Sequence, residues 1–135
     1  MSRGMGGVAK MILQDSETVI YEYYAYDLND EEYCNPQALF DGLITIDKRS
    51  FVEPEPHEKL KKQPNGKKKL ITKSIIRPID YTTLIKTQKI QVKNSMFCWA
   101  FLENGIGFAS FHLINKIYTH YQEHHAIPER IEFKI

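Results

Sequence analysis

Four of the chain's five histidines fall within one short stretch: His112, His120, His124 and His125. His120 and His124 are spaced i, i+4, so on a helix both imidazoles face one side and could share a metal ion. The residues between them are Tyr121-Gln122-Glu123, so the glutamate of a zinc-protease motif is missing from its place. A third ligand would have to come from Cys34, Cys98, His57 or an acid elsewhere. Histidines near a helix C-terminus also interact favourably with the helix dipole and the last carbonyls, and that explains the cluster without a metal.

Nucleophilic chemistry fares no better. Cys98 sits in the apolar run Phe97–Leu102, where a cysteine behaves as a small hydrophobe. Cys34 lies beside Glu31 and Glu32, whose charges disfavour a thiolate. The acid clusters Glu53/Glu55 and Asp30/Glu31/Glu32 fall in polar segments, where solvated carboxylates are the rule. The Gly-Met-Gly-Gly run near the start lacks the preceding strand and the following Lys-Ser/Thr of a phosphate loop. No metal and no cofactor is expected.

Two segments suggest binding instead. Tyr21, Tyr23, Tyr24, Tyr26 and Tyr33 crowd a short stretch with Asp27, Asp30, Glu31 and Glu32. On a strand, Tyr21 and Tyr23 share one face while Tyr24 and Tyr26 share the other. One face can enter a core; the other meets solvent or a partner, and tyrosine is a favoured interface anchor. The expected partner-binding set is Tyr21, Tyr23, Tyr24, Tyr26, Asp30, Glu31, Glu32 and Tyr33, facing another protein with a basic surface. The second segment is the cluster Lys59, Lys61, Lys62, Lys67, Lys68 and Lys69 around a Pro-Asn-Gly turn. It reads first as a solvated arm that discourages edge pairing or as a contact for an acidic protein partner, and second as a phosphate-contacting finger for nucleic acid.

The charge pattern frames both. Net charge is +1, yet residues 1–58 carry twelve acids against four bases, and residues 59–135 fourteen bases against five acids. Such asymmetry marks an interaction surface or two complementary halves of one fold.

The elements that must position these residues follow from pattern. Val8–Gln14 and Glu17–Asp27 read as strands of an antiparallel hairpin, followed by a loop over Leu28–Gln37 and a strand over Ala38–Ile46, where Gly42 marks a bulge or a close backbone approach. Pro54 and Pro56 exclude helix from Asp47–Pro56. One helical turn is expected at His57–Lys62, then a turn at Gln63–Gly66 and a strand over Lys67–Arg77. Asp80 caps a short helix to Thr87, and Lys89–Lys93 and Phe97–Leu102 are further strands. Phe108–His125 is the one long helix, with Phe108, Phe111, Ile114 or Asn115, Ile117/Tyr118 and Tyr121 on its apolar face and Leu113 widening it, and Arg130–Ile135 is a final strand. The fold class is therefore α+β: a mainly antiparallel twisted sheet of about six strands with one long C-terminal helix packed on one face.

With 135 residues, 42% hydrophobic and 26% charged, the chain suits a single domain spanning residues 1–135. The Gly-rich residues 1–7 are expected to be a flexible N-terminal extension, with Met5 an alternative start. No apolar run approaches the ~20 residues of a membrane span. Two cysteines and no apolar leader point to the cytoplasm. Fourteen lysines against four arginines fit an AT-rich bacterial or mobile-element genome. The expected function is that of a small non-enzymatic cytoplasmic protein that binds another protein, of an inhibitor or toxin-neutralising immunity type. The alternatives are a nucleic-acid-binding accessory protein using residues 59–93, and a small hydrolase or metal-dependent enzyme around His120 and His124.

Overall fold

A computed structural model describes residues 4–62 and 68–135. The chain runs β1 (Met5–Gln14), β2 (Thr18–Asp27), β3 (Gly42–Asp47), a 3-10 turn (Lys48–Ser50), β4 (Glu55–Lys62), β5 (Lys68–Ile75), α1 (Tyr81–Lys86), β6 (Ile90–Lys93), α2 (Phe108–His124) and β7 (Arg130–Lys134). Five strands form one antiparallel sheet in the order β6-β3-β2-β1-β7. β4 and β5 pair only with each other, as a separate two-stranded ribbon. The fold is α+β, with α2 across one face of the sheet. No helix among the described residues is long and apolar enough to cross a membrane.

β2 is the central strand, and its period-two pattern sets the layers. Val19, Tyr21, Tyr23 and Ala25 are buried under α2, together with Ala9, Ile44, Ile46, Ile90 and Phe133 from the neighbouring strands. α2 meets them with Ala109, Leu113, Ile114, Ile117 and Tyr118. Of the stripe expected from sequence, Leu113, Ile114, Ile117 and Tyr118 are buried, whereas Phe108, Phe111 and Tyr121 are only half-buried. The reason is volume. The sheet already supplies two tyrosines at the centre, so the helix crosses them with Ala109 and Ser110; of its own rings Tyr118 is buried, and Phe108, Phe111 and Tyr121 go to the flanks. There Phe111 packs edge-on against Tyr81, and Tyr121 lies tilted against Phe51.

Several local readings are corrected. β1 starts at Met5, so residues 5–7 of the expected extension are strand, while residues 1–3 lie outside the described residues. Gly6 and Gly7 are buried there, because a β-carbon on Gly6 would collide with the Phe133 carbonyl and the Tyr26 hydroxyl. β3 starts only at Gly42, where a β-carbon would overlap the Tyr23 ring, so the glycine marks a close approach. The segment His57–Lys62 is strand, not a helical turn, with Pro56 on a two-stranded ribbon whose outer edge needs no donor. The expected turn at Gln63–Gly66 lies outside the described residues. Phe97–Leu102 is not a strand. Side chains and local turns take its backbone instead: Phe97 N–H bonds to Ser95 Oγ, Cys98 N–H to the Ser95 carbonyl, and Leu102 N–H to the Ile106 carbonyl.

Candidate protein-binding groove

The two faces of β2 separate the five tyrosines. Tyr21 and Tyr23 are 0% exposed and belong to the core, so they leave the expected partner-binding set. Tyr21 donates its hydroxyl to the Pro128 carbonyl. The Tyr23 hydroxyl accepts from Ser95 N–H at 2.7 Å and from Ser110 Oγ at 2.7 Å, with Cys98 Sγ at 3.7 Å. Burial pushes both phenols far above the ordinary tyrosine range.

Tyr24 and Tyr26 stand on the opposite face, half-buried, with ring centroids 6.0 Å apart. Phe40 meets Tyr24 edge-on at 4.8 Å. The chain between β2 and β3 folds back beside them and closes a groove of about 370 Å³, lined by Val8, Tyr24, Tyr26, Leu28, Cys34, Pro36 and Ala38, with Glu132 and Lys134 of the edge strand β7 on its far side. That volume is near the lower end for a ligand cleft.

The loop is built by its own short polar side chains. Asp27 Oδ1 accepts from Asn29 N–H at 3.0 Å and Asp30 Oδ1 from Glu32 N–H at 2.9 Å. Asn35 is the anchor: buried, it donates to the Ala25 carbonyl at 3.2 Å and accepts from Leu39 N–H at 2.9 Å. Asn35 and Ala38 both adopt the left-handed region, φ 46° and 50°. An alanine there costs about 1–2 kcal/mol, so the loop's hydrogen bonds hold a strained lip over the groove.

Of the acidic residues expected at this surface, Glu31 and Glu32 are exposed, whereas Asp30 is half-buried and folds the loop. Tyr33 is half-buried, and its carbonyl accepts from Asp27 N–H. Sequence reasoning missed Val8, Leu28, Pro36, Ala38, Phe40, Glu132 and Lys134. β7 joins the groove only through long-range pairing, Val8 to Glu132 and Gly6 to Lys134, which no local pattern announces. Burial, the neighbouring Tyr24 and the Glu132 charge raise the Tyr26 phenol, which keeps it a hydrogen-bond donor.

The chemical candidates separate cleanly. Among the described residues no three His, Cys, Asp or Glu side chains are placed to hold a metal ion. His120 and His124 lie with ring centroids 4.5 Å apart and planes tilted by 42°, and His125 ends α2 at φ 54° with Nδ1 2.7 Å from Glu53. Cys98 is buried and its thiol is pushed up by burial, the opposite of activation. Of the lysine cluster, Lys67 lies outside the described residues, and Lys59, Lys61, Lys62, Lys68 and Lys69 take their places from the β4–β5 register.

No protein-family model, curated protein or solved structure matches this chain.

Proposed function

We propose that the protein is a non-enzymatic binding protein of the cytoplasm that captures another protein through the Tyr24–Tyr26 groove. The observation that carries this reading is a pair of aromatic side chains on the sheet face away from α2, beside a strained loop that hydrogen bonds hold in place. Preorganised aromatic anchors lose little entropy on binding, and a few of them carry most of an interface's free energy. Glu31 and Glu32 are exposed on the same loop, which favours a partner with basic residues around its contact point. An inhibitor or toxin-neutralising role is the physiological form such capture would take. The two free cysteines, Cys34 and Cys98, accord with a reducing compartment.

The test is site-specific photo-crosslinking in cells. A photoreactive phenylalanine replaces Tyr24, Tyr26 or Leu28 in turn, with Gln91 on the far edge of the sheet as control, and adducts are identified by mass spectrometry. One protein joined at the groove positions and absent from the control is the expected result. Tyr24→Ala with Tyr26→Ala should then weaken that complex by about 2 kcal/mol or more while the chain stays folded. Adducts equal at Gln91 and at the groove, or none at the groove, would refute the assignment.

A further inference from the structure

The β4–β5 ribbon carries a charge pattern that its own folding does not explain. Its register sets Lys61 opposite Lys69 and Lys62 opposite Lys68. Like charges directly opposite one another destabilise an antiparallel pair. Period-two alternation gives Lys59, Lys61, Lys69 and Lys73 register positions on one face, with His57 and Ile71, and the only acid on that face is Glu55 at the root. The ribbon's other acid, Glu58, has its register position on the opposite face. Lys62 and Lys68 take register positions on that opposite face with Glu58, so four of the six paired lysines share one face.

The ribbon's shape is equally specific. Eight residues per strand at about 3.4 Å each give a length of about 27 Å. Among the described residues no strand pairing joins the ribbon to the main sheet. A two-stranded antiparallel ribbon is one of the two elements that the major groove of duplex DNA, about 12 Å wide, admits. Both roots are tied to the last turns of α2. Glu53 accepts from Tyr121 at 3.0 Å and lies 2.7 Å from His125 Nδ1, while Gln122 accepts from Arg77 N–H at 2.7 Å and donates to its carbonyl at 3.0 Å. An element fixed at its base, with four lysines at register positions on one face, suits contact with a polyanion.

We infer that the β4–β5 ribbon is a duplex-DNA-binding arm, with Lys59, Lys61, Lys69 and Lys73 making phosphate contacts and Lys62 and Lys68 adding charge from the opposite face. Lysine supplies point charges for the backbone, and the ribbon has no arginine to read guanine, so binding is independent of sequence. This inference is independent of the Tyr24–Tyr26 groove.

The test uses the full chain and a fluorescent duplex of about 20 base pairs, titrated between about 50 and 200 mM salt. Four to six phosphate contacts predict an affinity loss of about 10²–10³-fold over that range. Changing Lys59, Lys61, Lys69 and Lys73 to Gln should lower the slope of log K against log salt by about 3.6, and the same positions changed to Arg should preserve it. Melting temperature is followed for both variants; the Gln variant should melt no lower than wild type, since it relieves repulsion. The wild-type and Arg slopes stand whatever the Gln variant does. No binding at the lowest salt, a Gln variant that binds like wild type, or displacement of the DNA by polyglutamate at equal charge would each overturn the inference. The last would point to an acidic protein, and stronger binding to a matched RNA duplex would overturn the choice of DNA.

Discussion

Tyr23→Phe should destabilise the protein far more than the loss of one oxygen suggests. The hydroxyl is 0% exposed and joins three parts of the chain: the Ser95 backbone, the first turn of α2 through Ser110, and Cys98. Its removal leaves the Ser95 N–H without an acceptor in a place water does not reach, at a cost of about 1–3 kcal/mol. Ser110 keeps a poorer bond to Asn94 Oδ1 at 3.4 Å, so its loss is smaller, about 0.5–1 kcal/mol. The thiol contact at 3.7 Å adds little. The total is about 1.5–4 kcal/mol, and at about 3–4 °C per kcal/mol for a chain of this length the melting temperature falls by about 5–16 °C. Urea unfolding with an unchanged m-value measures it, and Tyr24→Phe on the opposite face is the control, expected within about 0.5 kcal/mol of wild type. If Tyr23→Phe is as stable as Tyr24→Phe, the hydroxyl is not the junction described, and the packing of α2 on β2 rests on apolar contact alone.

Other perturbations separate the helix faces and the charge sites. Leu113→Ala, in the core, should cost about 3–4 kcal/mol, and half-buried Phe111→Ala clearly less, by the same urea titration; the reverse order would mean that the helix is rotated. Gly42→Ala should cost about 2–3 kcal/mol, because the new methyl meets a Tyr23 ring that its hydrogen bonds hold in place; a change under about 0.5 kcal/mol would show that the ring yields. Asp47 bonds the Arg49 guanidinium and backbone, and these hold its carboxyl at about 2, below its ordinary value of 3.8. Its contribution is therefore complete above about pH 4 and lost as pH falls toward 2, so Asp47→Asn should flatten that part of the melting-temperature profile and leave a difference from wild type that is constant above about pH 5. A profile of unchanged steepness between about pH 2 and 4 would remove Asp47 from acid unfolding.

What could be read from the sequence depended on the range of the interaction. β2 was legible because aromatic and β-branched residues alternate through Thr18–Asp27, and Asp80 announced α1 because an aspartate cap acts only a few residues away. The α2 boundaries and most of its buried stripe were legible from Pro128 and from the apolar spacing, but the displacement of Phe108, Phe111 and Tyr121 to the flanks was not. That depends on Tyr23 reaching Ser110 across 87 positions of sequence. Phe97–Leu102 has the composition of a strand, yet the edge strand β6 ends at Lys93, and Asp41 takes Ser95 and Met96 into a turn instead. At the candidate groove the division of the tyrosines followed from alternation alone, whereas the contribution of β7 required the register of a strand more than a hundred residues away.

The pairing of Glu55 with Ile75 means that the chain leaves the body and returns to it at neighbouring points. Topologically the ribbon is a detour: the path from β3 to α1 would be closed by a short link in its absence. Its length and composition are thereby released from the constraints that govern the sheet, where every strand has neighbours to satisfy. A lineage could lengthen, recharge or shed this arm without re-threading the fold, and the same junction offers an engineer a place to graft a foreign peptide.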